Sequence, residues 1–68
     1  MRRRLRRLIS KTEILDRSGL SYPTIWKLMR AGEFPRSRVV AQGRVAWFED
    51  EFEDWLERLP VRRLKGDD

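Results

Sequence analysis

A short helix with a marked start and a marked stop, within residues 20–32 (LSYPTIWKLMRAG), most constrains what this chain can fold into. The hydroxyl of Ser21 suits a helix N-cap, and Pro23 is tolerated in the first turn because no hydrogen bond is lost there. Gly32 can adopt the left-handed conformation that ends many helices, and Pro35 prevents continuation. The pattern predicts one short helix that the rest of the chain supports.

The two faces of this helix differ in chemistry. Ile25, Leu28 and Met29 follow the i, i+3, i+4 spacing that turns apolar side chains toward a core. Lys27 and Arg30 fall on the opposite side. Cations opposite an apolar stripe, directly after a tight turn, are typical of a recognition helix in a helix-turn-helix. An ordinary surface helix with a charged solvent face has the same pattern.

A second helix is predicted immediately before the first. Ser10 and Glu13 form an S-x-x-E capping box, which indicates a helix that runs to about Arg17. Gly19 follows, where the chain can reverse direction because glycine has no Cβ to clash. Two short amphipathic helices around this glycine predict a helix-turn-helix.

Two β-rich runs, at residues 38–41 (RVVA) and 44–47 (RVAW), flank a turn at Gln42 and Gly43 and predict a hairpin. A hairpin alone is marginal in water, so it must pack on the helices as a wing. Val39, Val45 and Trp47 are the candidates for its inward side chains, and alternation over so few residues does not fix which valine faces inward. Its solvent side and tip are expected to carry donors for phosphate or for a minor-groove edge. These donors are Arg36, Arg38, Gln42 and Arg44. Solubilising cations on an edge strand are the alternative.

A third helix is predicted from about Asp50, where D-E-F-E offers another capping-box pattern. Its core face is expected to comprise Phe52, Trp55, Leu56 and Leu59, which recur at helical spacing. The predicted fold class is mainly α with a small β-hairpin. This is a winged helix-turn-helix of about three helices and a two-stranded wing. It spans residues 8–59, between a basic N-terminal arm at 1–7 and a C-terminal tail at 60–68.

Length and composition exclude several classes of function. The chain has 68 residues, too few for an enclosed active site. It contains neither Cys nor His, which removes disulfides, thiolate or imidazole zinc sites, and cysteine or histidine catalysis. We therefore expect no enzyme activity, no cofactor and no metal. No apolar run approaches a membrane span, so a cytoplasmic protein without a membrane partner is expected.

The charge is distributed unevenly along the chain. The net charge is +5, but residues 1–47 carry twelve cations against three acids, and residues 48–68 carry four against eight. A basic body with an acidic last helix predicts a surface that attracts polyanions on one side, with nucleic acid as the partner. The N-terminal arginines are either a solvated tail or an arm along phosphates or a minor groove. They are Arg2, Arg3, Arg4, Arg6 and Arg7.

Three segments together resemble one family. LIS-K-x-E-I-L at residues 8–15, S-G-L-S-x-x-T-I-W-K-L-M-R-A-G-E-F-P at 18–35 and R-V-A-W-F-E-D-E-F-E-D-W-L at 44–56 are similar to the AlpA family. Members are small DNA-binding regulators of phages and mobile elements, similar to excisionases and MerR-type winged helix-turn-helix domains. The resemblance implies a transcriptional regulator of a prophage or mobile element. The alternative is an excisionase that binds and bends an attachment site.

The resemblance also implies which residues face double-stranded DNA. On the groove-facing helix these are Ser21, Tyr22, Thr24, Lys27 and Arg30, and on the wing Arg44. Lys27 and Arg30 would donate to guanine edges or phosphates. Tyr22 and Thr24 would contact base edges or a thymine methyl. Trp26 would either brace the wing or lie on the sugar-phosphate backbone.

Other macromolecular partners also remain open. A single small domain covers few base pairs, so a second copy on repeated sites, or an integrase or polymerase component, is a candidate partner. In a different class of function, the chain is an adaptor whose acidic last helix binds a basic protein.

Overall fold

The computed structural model describes residues 6–66, which form three helices and three short strands. In chain order these are β1 (Leu8–Ser10), α1 (Lys11–Ser18), α2 (Tyr22–Arg30), β2 (Arg38–Ala41), β3 (Arg44–Phe48) and α3 (Glu49–Glu57). Three helices with an antiparallel hairpin confirm the predicted fold class. Residues 1–5 of the predicted arm and 67–68 of the predicted tail lie outside the described residues.

Helices α1 and α2 begin at the predicted caps. The Oγ of Ser10 accepts a hydrogen bond from the N–H of Glu13 at 3.2 Å. Ser21 Oγ likewise accepts from the N–H of Thr24 at 3.4 Å. Between the helices Gly19 has φ 73°, the left-handed conformation that glycine adopts without strain. Local chemistry at both ends of the turn therefore sets the helix-turn-helix.

A Schellman motif ends α2. The N–H of Gly32 donates to the carbonyl of Met29 at 3.1 Å, and the N–H of Glu33 donates to the carbonyl of Leu28 at 2.8 Å. Gly32 itself has φ 74°. This closure turns the chain so that the next residue, Phe34, is buried in the core.

The sheet has one more strand than the predicted two-stranded wing. The strand order is β1-β3-β2 and both pairings are antiparallel, which makes β3 the central strand. Leu8 pairs with Phe48, and Arg38 pairs with Ala46. The segment just before the Ser10 cap, predicted only to bury apolar side chains, therefore also forms an edge of the wing sheet.

Of the two valines that were candidates for an inward position, Val39 faces outward. Its side chain is 80% exposed, and β2 contains no buried residue. As the outer strand, β2 lies away from the core, which β3 covers with Ala46 and Trp47. Val45 is the valine that packs, half-buried, against the core. The pairing of β2 with β3 also shifts between Val39 and Ala41, an irregularity that the sequence pattern does not indicate.

Helix α3 begins without the predicted capping box. Phe48 is its N-cap and makes no side-chain cap hydrogen bond. Because β3 runs directly into α3, the N–H of Glu49 instead donates to the backbone carbonyl of Arg7, at 2.8 Å. The helix ends at Glu57, so Leu59 falls beyond its last turn and is 47% exposed. The prediction that Leu59 belongs to the core face is therefore wrong.

The core joins all three helices to the sheet. Its buried members are Ile9, Ile14, Ile25, Met29, Phe34, Trp47 and Phe52. Two indole N–H groups hold the connection after α2: Trp47 donates to the carbonyl of Pro35 at 2.9 Å, and Trp55 to that of Glu33 at 2.8 Å. These bonds tie the connection after α2 to β3 and to α3. Within residues 6–66, no helix combines the length and apolarity needed to cross a membrane.

Candidate nucleic-acid interface

The outer face of α2 carries the predicted cations. Ile25 and Met29 are buried on the inner side of this helix, whereas Lys27 and Arg30 are exposed. The segregation follows from the helical period of 3.6 residues, which turns Lys27, two positions from both Ile25 and Met29, to the far side of the helix. Arg30, three positions after Lys27, lies on the same side as Lys27. The structure thus brings both cations to one solvent-facing surface.

The polar residues at the start of α2 are partly committed to the fold. The hydroxyls of Ser21 and Thr24 lie 2.9 Å apart and share a hydrogen bond within the helix cap. Tyr22 is half-buried and packs against the core, and the Nζ of Lys11 lies 4.0 Å from the centre of its ring. Ser21 and Thr24 remain exposed to solvent. The five residues predicted to face DNA on this helix therefore lie within one short segment. They differ in how far contacts within the fold already occupy their side chains.

A shallow apolar groove runs along the flank of α2. Its lining consists of Tyr22, Pro23, Trp26, Lys27, Arg30 and Ala31. Trp26 is 47% exposed, and the guanidinium carbon of Arg30 lies 5.1 Å from the centre of the indole ring. This spacing is within the range of a cation–π contact. The groove therefore combines aromatic surface with positive charge.

The predicted arginines of the wing occupy different surroundings. Arg44 is exposed at the start of β3, beside the hairpin turn. Arg36 and Arg38 line a second open groove, which Glu51 and Asp54 of α3 also line. There Arg38 forms an ion pair with Glu51 at 2.9 Å, and its guanidinium lies 4.8 Å from the ring centre of Phe48.

The acidic first turn of α3 binds arginines from elsewhere in the fold. Arg6 donates two hydrogen bonds to Asp50, at 3.0 and 2.9 Å, and Arg17 lies 3.3 Å from Glu49. The hydrogen bond to Asp50, and the charge of that carboxylate, raise the pKa of the Arg6 guanidinium above its ordinary value. Sequence reasoning missed these pairs. The only signal was the acidic triplet at residues 49–51, which lies far along the chain from its partners.

Eight of the described cations fall into two groups. One group pairs with carboxylates of α3 and comprises Arg6, Arg7, Arg17 and Arg38. The other group makes no ion pair within residues 6–66 and comprises Lys27, Arg30, Arg36 and Arg44. On α2 both cations are thus unpaired within the described residues, whereas at the wing Arg38 is paired and Arg44 is not.

The chain matches the model of one protein family. The model for the prophage CP4-57 regulatory protein (AlpA) matches residues 7–63, which include every helix and strand of the fold. The chain belongs to the AlpA family. Membership of AlpA gives it a phage-associated regulatory role and confirms the resemblance drawn from the sequence.

A phage relative supports the AlpA assignment. The uncharacterized protein ORF88 of Enterobacteria phage P4 is 34% identical over 62 residues. The match covers 91% of this chain and 70% of the relative. Similarity to a phage protein over nearly the whole chain agrees with the prophage origin of the AlpA family.

Proposed function

We propose that this AlpA-family protein binds double-stranded DNA sequence-specifically and regulates transcription of a prophage or mobile element. The observation that supports the proposal most directly is the separation of charge. Lys27 and Arg30 project from a short helix without a carboxylate partner in residues 6–66, while arginines pair with the acidic first turn of α3. A duplex would supply the anionic partner for the uncompensated cations.

In this proposal α2 enters the major groove, which is about 12 Å wide and admits one helix. Arg30 donates through its planar guanidinium to the O6 and N7 of guanine. Lys27 donates to a guanine edge or to a nearby phosphate. Tyr22 and Thr24, at the start of the helix, contact base edges. Ser21 holds the first turn and directs its polar groups toward the duplex.

The wing supplies affinity more than specificity. Arg44 contacts the phosphate backbone, and Arg36 and Arg38 add contacts from the strand side of the wing. Contacts to phosphate release counterions, so they weaken steeply as salt rises and do not distinguish sequences. Arg38 must first give up its 2.9 Å ion pair with Glu51, and its contribution is therefore smaller than that of Arg44.

An adaptor function for the acidic last helix has less support. Glu49, Asp50 and Glu51 all pair with arginines of the same chain, which reduces the negative charge that they offer to a basic protein. Charge reversal at Glu53 and Asp54 tests this alternative. Loss of regulation with intact DNA binding would support the adaptor.

Fluorescence anisotropy tests the proposed function. The full chain is titrated against a labelled duplex from the region upstream of its own gene and against a scrambled duplex, over a series of salt concentrations. We expect a preference for the native duplex that survives as salt rises. Equal binding to both, lost steeply with salt, would contradict sequence-specific recognition.

A second pair of duplexes separates regulation from recombination. The same titration is run with a promoter duplex and an attachment-site duplex, and bending is followed by energy transfer between dyes at the two ends. Preference for the promoter duplex supports a transcriptional regulator. Preference for the attachment site, together with bending, would instead favour an excisionase.

A further inference from the structure

We propose that Trp26 recognises the 5-methyl group of thymine, with its indole forming the apolar centre of the α2 groove. The inference rests on the proposed function, since it names the base feature that the same helix would contact. It also assigns a role to a residue whose position in the sequence allowed two others, bracing the wing or lying on the DNA backbone.

The three tryptophans of the chain differ in burial and in the hydrogen bonds of their indole N–H groups. Trp47 is fully buried, and its indole N–H bonds to the backbone of Pro35. Trp55 packs against the core and bonds to the backbone of Glu33. Trp26 lies outside the core cluster and is 47% exposed. The fold thus uses two indoles in its packing and leaves the third on the surface.

Trp26 is not an isolated exposed side chain, which would need no explanation. Pro23 and the half-buried ring of Tyr22 lie beside it and extend the apolar surface along the flank of α2. The groove lies on the same helix as Lys27 and Arg30. A surface that approaches DNA with these two cations therefore also approaches it with the indole.

The charges around the groove favour a polyanion as the occupant. Arg30 lies over the Trp26 ring at 5.1 Å, and Lys11 lies over the Tyr22 ring at 4.0 Å. The described residues that line the groove include Lys27 and Arg30 but no carboxylate. A ligand that is anionic overall and also presents a small apolar group would match both features of the groove. In the major groove of duplex DNA that group is the 5-methyl of thymine.

Neighbouring residues are less suited to this contact. Thr24 already shares a hydrogen bond with Ser21, at 2.9 Å between the two oxygens. Tyr22 is half-buried against the core, which restricts the reach of its ring. The indole of Trp26 is the largest apolar surface that α2 exposes. It is therefore the side chain that gains most from covering a methyl group.

The test removes the methyl group and the indole separately and then together. A preferred duplex is first obtained by selection from a random library with the wild-type full chain. Each thymine in it is then replaced by deoxyuridine, which lacks only the 5-methyl. At one or two positions we expect wild-type affinity to fall about three- to fivefold, the factor that one buried methyl group provides. Trp26→Ala should bind the thymine and deoxyuridine duplexes equally.

Two further variants serve as controls. Val61→Ala removes another apolar side chain, 90% exposed and outside α2, and should keep the full deoxyuridine penalty. Trp26→Phe keeps an aromatic ring and should therefore keep part of the deoxyuridine penalty. Because Trp26 is exposed, the variants are expected to fold, and circular dichroism checks that they do.

The remaining outcomes overturn the inference in distinguishable ways. If Trp26→Ala retains the deoxyuridine penalty, or if no thymine is sensitive in the wild type, Trp26 does not recognise the methyl group. Unchanged DNA binding by Trp26→Ala would leave the groove to a protein partner and would also overturn the inference. If selection enriches no sequence at all, the proposed function fails, and the inference fails with it.

Discussion

The indole Nε1 of Trp55 donates a hydrogen bond to the backbone carbonyl of Glu33, across 2.8 Å. The bond ties α3 to the turn that follows α2. Beside it, the ring of Phe34 packs edge-on against Trp55, with 4.6 Å between the ring centres. The side chain of Trp55 in the last helix therefore contacts the turn that ends the proposed recognition helix, through both its N–H and its ring.

Trp55→Phe should lower stability measurably. The substitution keeps an aromatic ring beside Phe34 but leaves the carbonyl of Glu33 without its indole donor. Loss of one such bond costs about 1 kcal/mol, which for a domain of this size shifts Tm by roughly 4–8 °C. Thermal denaturation followed by circular dichroism measures the shift. The matched control is Trp26→Phe, at an exposed indole, which should leave Tm nearly unchanged. Equal shifts in the two variants would contradict the structural role of Trp55.

Much of the helical part of the fold could be predicted because its signals are local. The caps at Ser10 and Ser21 and the left-handed glycines Gly19 and Gly32 act within one turn of the residues that they organise. The same applies to the composition of the α2 face, since the helical period alone separates Lys27 from the core. Features of this kind can be predicted from neighbouring residues alone.

The parts that could not be predicted depend on residues far apart in sequence. β1 has only three residues and becomes a strand by pairing with β3, which its own sequence does not indicate. Arg6 and Asp50 are 44 positions apart, so local sequence patterns could not predict that Arg6, placed in the predicted N-terminal arm, pairs with α3. The pairing of Arg38 with Glu51 likewise depends on how the wing meets α3. The free and paired cations of the candidate site were therefore indistinguishable from the sequence.

Gly32→Ala should destabilise the fold through backbone strain alone. Gly32 has φ 74°, and a Cβ added there would meet no atom within 4 Å. The cost is therefore that of the left-handed conformation, about 1 kcal/mol for alanine. Asparagine tolerates this conformation better, so Gly32→Asn should lose less stability than Gly32→Ala. Urea denaturation of both variants measures the difference. A larger loss for Asn than for Ala would show that space, and not φ, limits this position.

Arg44→Ala and Arg38→Ala should separate a DNA contact from a structural contact. Arg44 makes no ion pair within residues 6–66, so its removal should leave Tm unchanged and should reduce the salt dependence of DNA binding by about one phosphate contact. Arg38→Ala should lower stability by up to about 1 kcal/mol, because the exposed pair with Glu51 is lost. Arg38→Ala should change the salt dependence of DNA binding less than Arg44→Ala does. Anisotropy over a salt series and thermal denaturation make the two measurements. The opposite pattern would assign the phosphate contact to Arg38.

Arg30→Ala should relax base preference, and not simply weaken binding. If the guanidinium donates two hydrogen bonds to a guanine, its loss costs about 1–3 kcal/mol on the preferred duplex and much less on a scrambled one. Arg30→Lys keeps the charge but loses the planar pair of donors, so it should recover binding to scrambled DNA without recovering the preference. Arg62→Ala, an exposed cation beyond the last helix, is the control and should leave the ratio of the two affinities unchanged. The ratio is measured by anisotropy with both duplexes at one salt concentration. Equal losses on the two duplexes for Arg30→Ala would make Arg30 a phosphate contact, and base recognition would then have to come from other residues of α2.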